Sequence, residues 1–294
     1  MSKKFQSAIH FLADSNLWIA LCALAFIAQS FVIYNQPVLE KDYWYLLFAF
    51  CNTYIIYNLH RIITIPAKEV ETLSGMHSFI ARNKMPVFIS LLLAGLLSFV
   101  SLFFLNITSI LALLLLGAIS VFYTFPLPFG IRLRDFGFLK PFIVAVVWSF
   151  VCVLVPLAEN IQQDMLIIFL LWLNRFLFIV AITIPFDVRD IKFDKVNLKY
   201  GTIPMKIGKL RTYRLSQGLL LLSAIPLLAI LYFMRHIEEF LIPSLLWYLI
   251  TSSIIRHNLK SNKEVSEYQY TFWLDGTMVF GYLLFTIGWF FVGK

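Results

Sequence analysis

The sequence predicts an all-α, polytopic membrane protein with nine transmembrane helices around a central cavity open to the cytoplasm. Three observations carry this expectation. The chain of 294 residues is 60% hydrophobic and only 14% charged, whereas a soluble domain of this size carries about 25% charge. Apolar runs near the ~20 residues needed to cross a hydrocarbon core recur along its whole length. The connections between those runs alternate between crowded and nearly empty of basic side chains.

The expected spans are 16–35, 42–60, 86–105, 108–126, 140–158, 165–186, 215–234, 238–255 and 270–291. Few residues remain for a soluble module, so 1–294 reads as a single transmembrane domain. Lys3 and Lys4 precede the first apolar run as in a signal peptide. The polar stretch before Trp18 is long and no small-residue cleavage pattern follows, so a retained membrane helix is expected. The second span ends in polar side chains, Asn52, Thr53, Asn58, His60 and Arg61. The third and fourth are almost wholly apolar and meet at 106–107. The fifth opens after Arg132, Arg134 and Lys140, and the sixth runs through Ile184-Pro185-Phe186 directly into Asp187. Gly201-Thr-Ile-Pro204 and Gly208 punctuate the connection to the seventh span, where a short amphipathic segment is expected. Asp275 opens the ninth, either capping its helix or closing the cavity.

The connections 36–41, 106–107, 159–164 and 235–237 are short, and 61–85, 127–139, 187–214 and 256–269 are long. Of the 24 lysines and arginines, only Lys41, Arg235 and Lys294 fall on the short-connection side, and only Arg175 lies within a span. Basic residues mark the cytoplasmic face. The chain is therefore expected in a cytoplasmic-type membrane, with the N-terminus and Asp187 facing the cytoplasm. The net charge of +8 is thus a topology signal and not a nucleic-acid surface. Cys22, Cys51 and Cys152 all fall in spans without paired spacing, which excludes a disulfide framework and a zinc site.

The most telling residues are Asp187, Asp190 and Asp194. Steps of three and four residues put their carboxylates within a roughly 60° arc of one helical face. A lipid-facing helix has no use for such a stripe. Mg²⁺ does, since it wants oxygen donors on one side and phosphate on the other. The competing reading is a solvated helix end of mixed charge, with Arg189, Lys192 and Lys195 as partners. A second constellation is Asn52, Tyr57 and His60, with Arg61 at its rim. Polar groups inside a span point into the bundle, either as interhelical hydrogen bonds or as the lining of the cavity that holds the aspartates. A third is Tyr123 with Arg132, Arg134 and Lys140, readable as an interface anchor followed by cytoplasmic markers. Arg175, beside Asn174, lies roughly 18 Å deeper than Asp187, and an intramembrane Arg marks a functional position by default.

Nine spans, Asp187-x-x-Asp190-x-x-x-Asp194 after the sixth, Tyr123-x-x-Pro126 after the fourth, and Gly201-Thr-Ile-Pro204 with Gly208 resemble the UbiA superfamily of intramembrane prenyltransferases. The resemblance covers about residues 42–290. It implies a Mg²⁺-dependent transfer of a prenyl group from an isoprenyl diphosphate to an aromatic or other lipophilic acceptor within the membrane. The family's first aspartate motif falls on Asn52, Thr53, Ile56 and His60. Only Asn52 matches, and the other three replace aspartates. The implied metal ligands are Asp187, Asp190 and Asp194, with Asn52 and His60 completing the catalytic set. Arg61, Arg132, Arg134, Arg189 and Lys195 are expected on the diphosphate, and Tyr57, Tyr123 and Arg175 in the substrate cavity. Two rival readings remain open: a lipid- or isoprenoid-binding protein that keeps the fold without the chemistry, and an ion-coupled transporter. The latter expects its acids near the membrane midplane, not at the cytoplasmic mouth.

Overall fold

The structure is a computed structural model that describes residues 3–34, 40–64, 75–125, 130, 132–157, 164–198, 200–260 and 268–292. Pro126 and the basic residues Lys68, Lys199 and Lys263 lie outside the described residues. The helices are α1 (Lys3–Asp14), α2 (Leu17–Ile33), α3 (Glu40–Thr64), α4 (Gly75–Arg82), α5 (Lys84–Leu102) and α6 (Ile107–Thr124). They continue with α7 (Lys140–Leu157), α8 (Met165–Arg189), α9 (Ile191–Asn197), α10 (Ile203–Ile207), α11 (Lys209–Phe233), α12 (Ile237–Lys260) and α13 (Gln269–Val292). No strand occurs among the described residues, only one isolated bridge.

Among the described residues, α5, α6, α7, α8, α11, α12 and α13 are long and apolar enough to cross a membrane. The protein is therefore an integral, multi-pass membrane protein. Nine spans were expected. Helices also occupy the other two positions, but α2 is only 17 residues long, and the polar side chains of α3, Asn52, Asn58 and His60 among them, leave it outside the apolar class.

The chain divides into two compact units, interleaved along the sequence. The first comprises 1–26, 38–105 and 266–279. Within it α3 packs along α5, and α1 meets α4 and the start of α13. The turn between α1 and α2 bends at Asn16, whose φ is +63°. Asn16 and Asn58 hold that turn: Asn16 Nδ2 donates to Asn58 Oδ1 at 3.0 Å, and Asn58 Nδ2 donates to Ser15 O and Tyr54 O. Buried amides of this kind are tolerated in an apolar setting because they are hydrogen-bonded within the protein.

The second unit comprises 27–37, 106–265 and 280–294. Its central element is α8, against which α7 and α11 pack, with α12 along α11. Phe178 of α8 and Trp247 of α12 meet at 4.4 Å between ring centroids, and Phe240 and Phe285 at 5.2 Å. Prolines inside these helices free carbonyls that lipid cannot satisfy. Pro185 removes the donor for Ala181 O, and the Ser216 hydroxyl of α11 fills the vacancy at 2.6 Å. Near Pro243, Gly288 lies so close to α12 that a Cβ there would stand 2.5 Å from Glu239 O. The Ser216 bond holds the last turns of α8, where the aspartates begin.

Candidate functional site

Asp187 sits in the last turn of α8, and the helix then breaks at Asp190, whose φ and ψ are −87° and 2°. The backbone bonds Asp190 N to Phe186 O and Asp194 N to Asp190 O carry the chain through the break into α9. The carboxylates thus do not form one stripe on one continuous helix, as the spacing had suggested. They part into two groups. Asp187 Oδ1 lies 3.0 Å from Lys140 Nζ, and Asp194 Oδ2 lies 3.5 Å from the same ammonium. Asp190 instead faces Arg189, with Nε to Oδ1 at 2.7 Å and Nη2 to Oδ2 at 3.0 Å. Asp187 and Asp194 are buried and Asp190 is partly exposed, and each lies beside a cation that favours its charged form.

Lys140 reaches the aspartates from the start of α7, at the end of a loop clamped to the segment after α9. Tyr200 N donates to Asp135 O at 3.2 Å, and the rings of Phe136 and Tyr200 stack at 5.0 Å and 7°. Gly137 is required in this clamp, because a Cβ would stand 2.6 Å from Tyr200 O and 2.9 Å from Thr202 Cγ2. Leu139 N donates to Phe136 O at 2.8 Å, and α7 opens at Lys140 and Pro141. The loop also holds the buried Arg134, whose charge acts on Asp190 and Asp194. Tyr123, at the end of α6, lies in the electrostatic field of Lys140, Arg134, Asp187 and Asp194.

The electrostatics outside the spans follow from this pairing. Burial disfavours the charge of Asp190, but the adjoining Arg189 outweighs it and holds the carboxyl below its ordinary value. Burial wins at Asp194, with help from Asp190, and raises its pKa despite Lys140. Burial also opposes Asp135, yet the Arg132 hydrogen bonds and charge hold it below its ordinary value.

The expected basic residues divide. Arg134 and Arg189 accompany the aspartates. Arg132 is committed to Asp135, with Nη2 to Oδ1 at 2.9 Å and its own backbone N to Oδ2 at 2.9 Å. Lys195 is exposed. Arg175 is fully buried farther along α8; its Nε donates to Ser30 Oγ at 3.2 Å and its guanidinium lies 5.8 Å from the centre of the Trp247 ring. Asn52, Tyr57, His60 and Arg61 belong to the first unit. Asn52 Nδ2 donates to Phe48 O at 2.9 Å and to Ser98 Oγ of α5 at 2.7 Å, an interhelical bond. Arg61 Nη1 donates to Asp14 O at 3.4 Å. Lys140 is the residue that sequence reasoning passed over, as a cytoplasmic marker. The available signal was its place directly before Pro141 at the head of an apolar span, level with the end of the preceding loop.

The donor set suits a hard cation. Asp187 Oδ2 and both oxygens of Asp194 are buried without a hydrogen bond, and such oxygens demand positive charge. Mg²⁺ is commonly held by one or two carboxylates, with water and phosphate completing its shell. Two are present here, while no group of three metal-ligating side chains is gathered among the described residues.

Two solved structures share this fold. A UbiA homologue from Archaeoglobus fulgidus bound to GPP and Mg²⁺ aligns with a TM-score of 0.65 at 18% identity, covering 97% of this chain and 100% of that one. A digeranylgeranylglyceryl phosphate synthase aligns with a TM-score of 0.60 at 17% identity, covering 95% and 97%. No curated protein matches the sequence. The model of the UbiA prenyltransferase family matches residues 77–276, a stretch that contains the break at Asp190, the Lys140 loop and all three aspartates. The chain belongs to the UbiA prenyltransferase family.

Proposed function

We propose that the protein is an intramembrane prenyltransferase that moves a prenyl group from an isoprenyl diphosphate to a lipophilic, aromatic acceptor. The observation that carries this reading is the pair of buried carboxylates, Asp187 and Asp194, three of whose four oxygens lack hydrogen bonds, with Lys140 against both and Arg134 acting on Asp194. In the reaction the bond from prenyl carbon to diphosphate oxygen breaks and its electron pair leaves with the diphosphate. The acceptor forms the new bond and loses a proton. Departure of the diphosphate is governed by how well its growing negative charge is met. Asp187 and Asp194 would hold Mg²⁺, which supplies that charge when bound. Arg134 and Arg189, fixed beside the carboxylates, receive the remaining phosphate oxygens, with Arg61, Arg132 and Lys195 as further basic residues. The GPP and Mg²⁺ bound to the Archaeoglobus homologue support the assignment. Asn52 and His60 join the catalytic set, and Tyr57, Tyr123 and Arg175 the substrate cavity, on the sequence resemblance. Nine spans with the aspartates at the cytoplasmic face complete the proposal.

The test is prenyl transfer by purified protein, screened over isoprenyl diphosphates and acceptors with and without Mg²⁺. Asp187→Asn, assayed as folded protein below its unfolding midpoint, abolishes Mg²⁺-dependent product; undiminished turnover refutes the reading. A second reading, an isoprenoid-binding protein without catalysis, is favoured by one observation. Thr53, Ile56 and His60 replace three acids, and the remaining carboxylates already face cations of the chain. Retention of labelled prenyl diphosphate with no product from any acceptor establishes it instead.

A further inference from the structure

The ammonium of Lys140 stands between Asp187 and Asp194, 3.0 Å from one and 3.5 Å from the other. Both carboxylates are almost wholly buried, at 2% and 1% side-chain exposure, and Lys140 itself is only 16% exposed. This is a buried ion pair and not a surface one. Lys140 is delivered by a loop braced through Asp135, Phe136 and Gly137 against Tyr200 and Thr202. Each acid thus has a cation of the chain beside it: Lys140 faces Asp187 and Asp194, and Arg189 faces Asp190. A divalent cation bound by Asp187 and Asp194 would lie within a few ångströms of the ammonium, and like charges that close repel strongly in a buried setting. Occupancy by one therefore weakens the hold of the carboxylates on the other.

We propose that Lys140 is a tethered counter-cation that exchanges with a divalent metal ion at Asp187 and Asp194. In the metal-free protein it holds the two acids. On metal binding it withdraws, and its occupancy sets the metal affinity of the site. The inference rests on Asp187 and Asp194 being a cation site, and not on prenyl transfer.

The experiment is Mn²⁺ binding to the full chain in detergent, read by electron paramagnetic resonance, with Mg²⁺ as competitor. Lys140→Met binds Mn²⁺ at least ten-fold more tightly than the native chain, Lys140→Arg restores weak binding, and the Asp187→Asn/Asp194→Asn double variant binds none. Equal affinity in the native and Lys140→Met proteins, lost in the double variant, overturns the exchange while leaving the cation site standing. Absence of binding in every form overturns both. A readout on the native protein does not depend on a variant folding: acylation of Lys140 by an amine-reactive reagent, followed by mass spectrometry. Labelling rises several-fold on adding Mg²⁺, and labelling insensitive to Mg²⁺ overturns the proposal.

Discussion

Replacing Lys140 by Met removes the ammonium that lies against both Asp187 and Asp194. At 3.0 Å and an effective dielectric of 20, the attraction to Asp187 is about 5.5 kcal/mol, and at 3.5 Å that to Asp194 is about 4.7 kcal/mol. Desolvation of the ammonium absorbs much of this, so the net loss is expected at about 3–5 kcal/mol, as when one partner of a buried pair is deleted. In a chain of this size such a loss lowers the unfolding midpoint by on the order of 10 °C. Asp187→Asn alone also destabilises, because it strips Lys140 of its nearer partner. The Lys140→Met/Asp187→Asn double variant is then more stable than the two losses added together, by at least ~2 kcal/mol of coupling. The assay is thermal unfolding in detergent without divalent ions, followed by a thiol-reactive dye. Cys22, Cys51 and Cys152 are all free and buried, so the dye reports on opening of the fold. Additive losses, with no coupling between the two positions, would refute the argument that the acids depend on Lys140.

Two further outcomes are expected. Ser216→Ala leaves Ala181 O, freed by Pro185, without its donor, and lowers stability by about 1–3 kcal/mol; pairing it with Pro185→Ala, which restores the backbone donor, recovers most of that loss in the same assay. Asp135→Asn removes the carboxylate that Arg132 holds below its ordinary value. A depressed group contributes stability that is complete above its unfolded value and is lost as pH falls through its folded one. The gap between the native chain and Asp135→Asn is therefore full at pH 7 and narrows as the solution is acidified below about pH 4. Hydrogen exchange of the loop amides measures it, and a gap independent of pH would contradict the assignment.

The helical class, the multi-pass membrane character and the family were legible in the sequence because each rests on local properties. Hydropathy over a span's length and the spacing of Asp187, Asp190 and Asp194 are carried by contiguous residues, and no distant partner is needed to read them. Polar side chains in α3 were legible as inward-facing for the same reason, and Asn52 bonds Ser98 across helices. Local reading was misled where a neighbour from elsewhere in the chain decides. The spacing puts three acids on one helical face, but the break at Asp190 and the cations beside it divide them between Lys140 and Arg189. Arg132 reads as a loop cation ready for phosphate, yet Asp135 three residues on engages both its guanidinium and its backbone N–H.

Lys140 shows the limit most clearly. As a letter in the sequence it is one more basic residue on a basic face. It gains its role only when the Gly137 loop closes on Tyr200 and brings the head of α7 against the end of α8. Composition determined that this chain lives in a membrane, and spacing showed three acids close together at the end of a span. Which cation of its own those acids meet was decided by packing, because electrostatic pairing depends on distance through space and not along the chain.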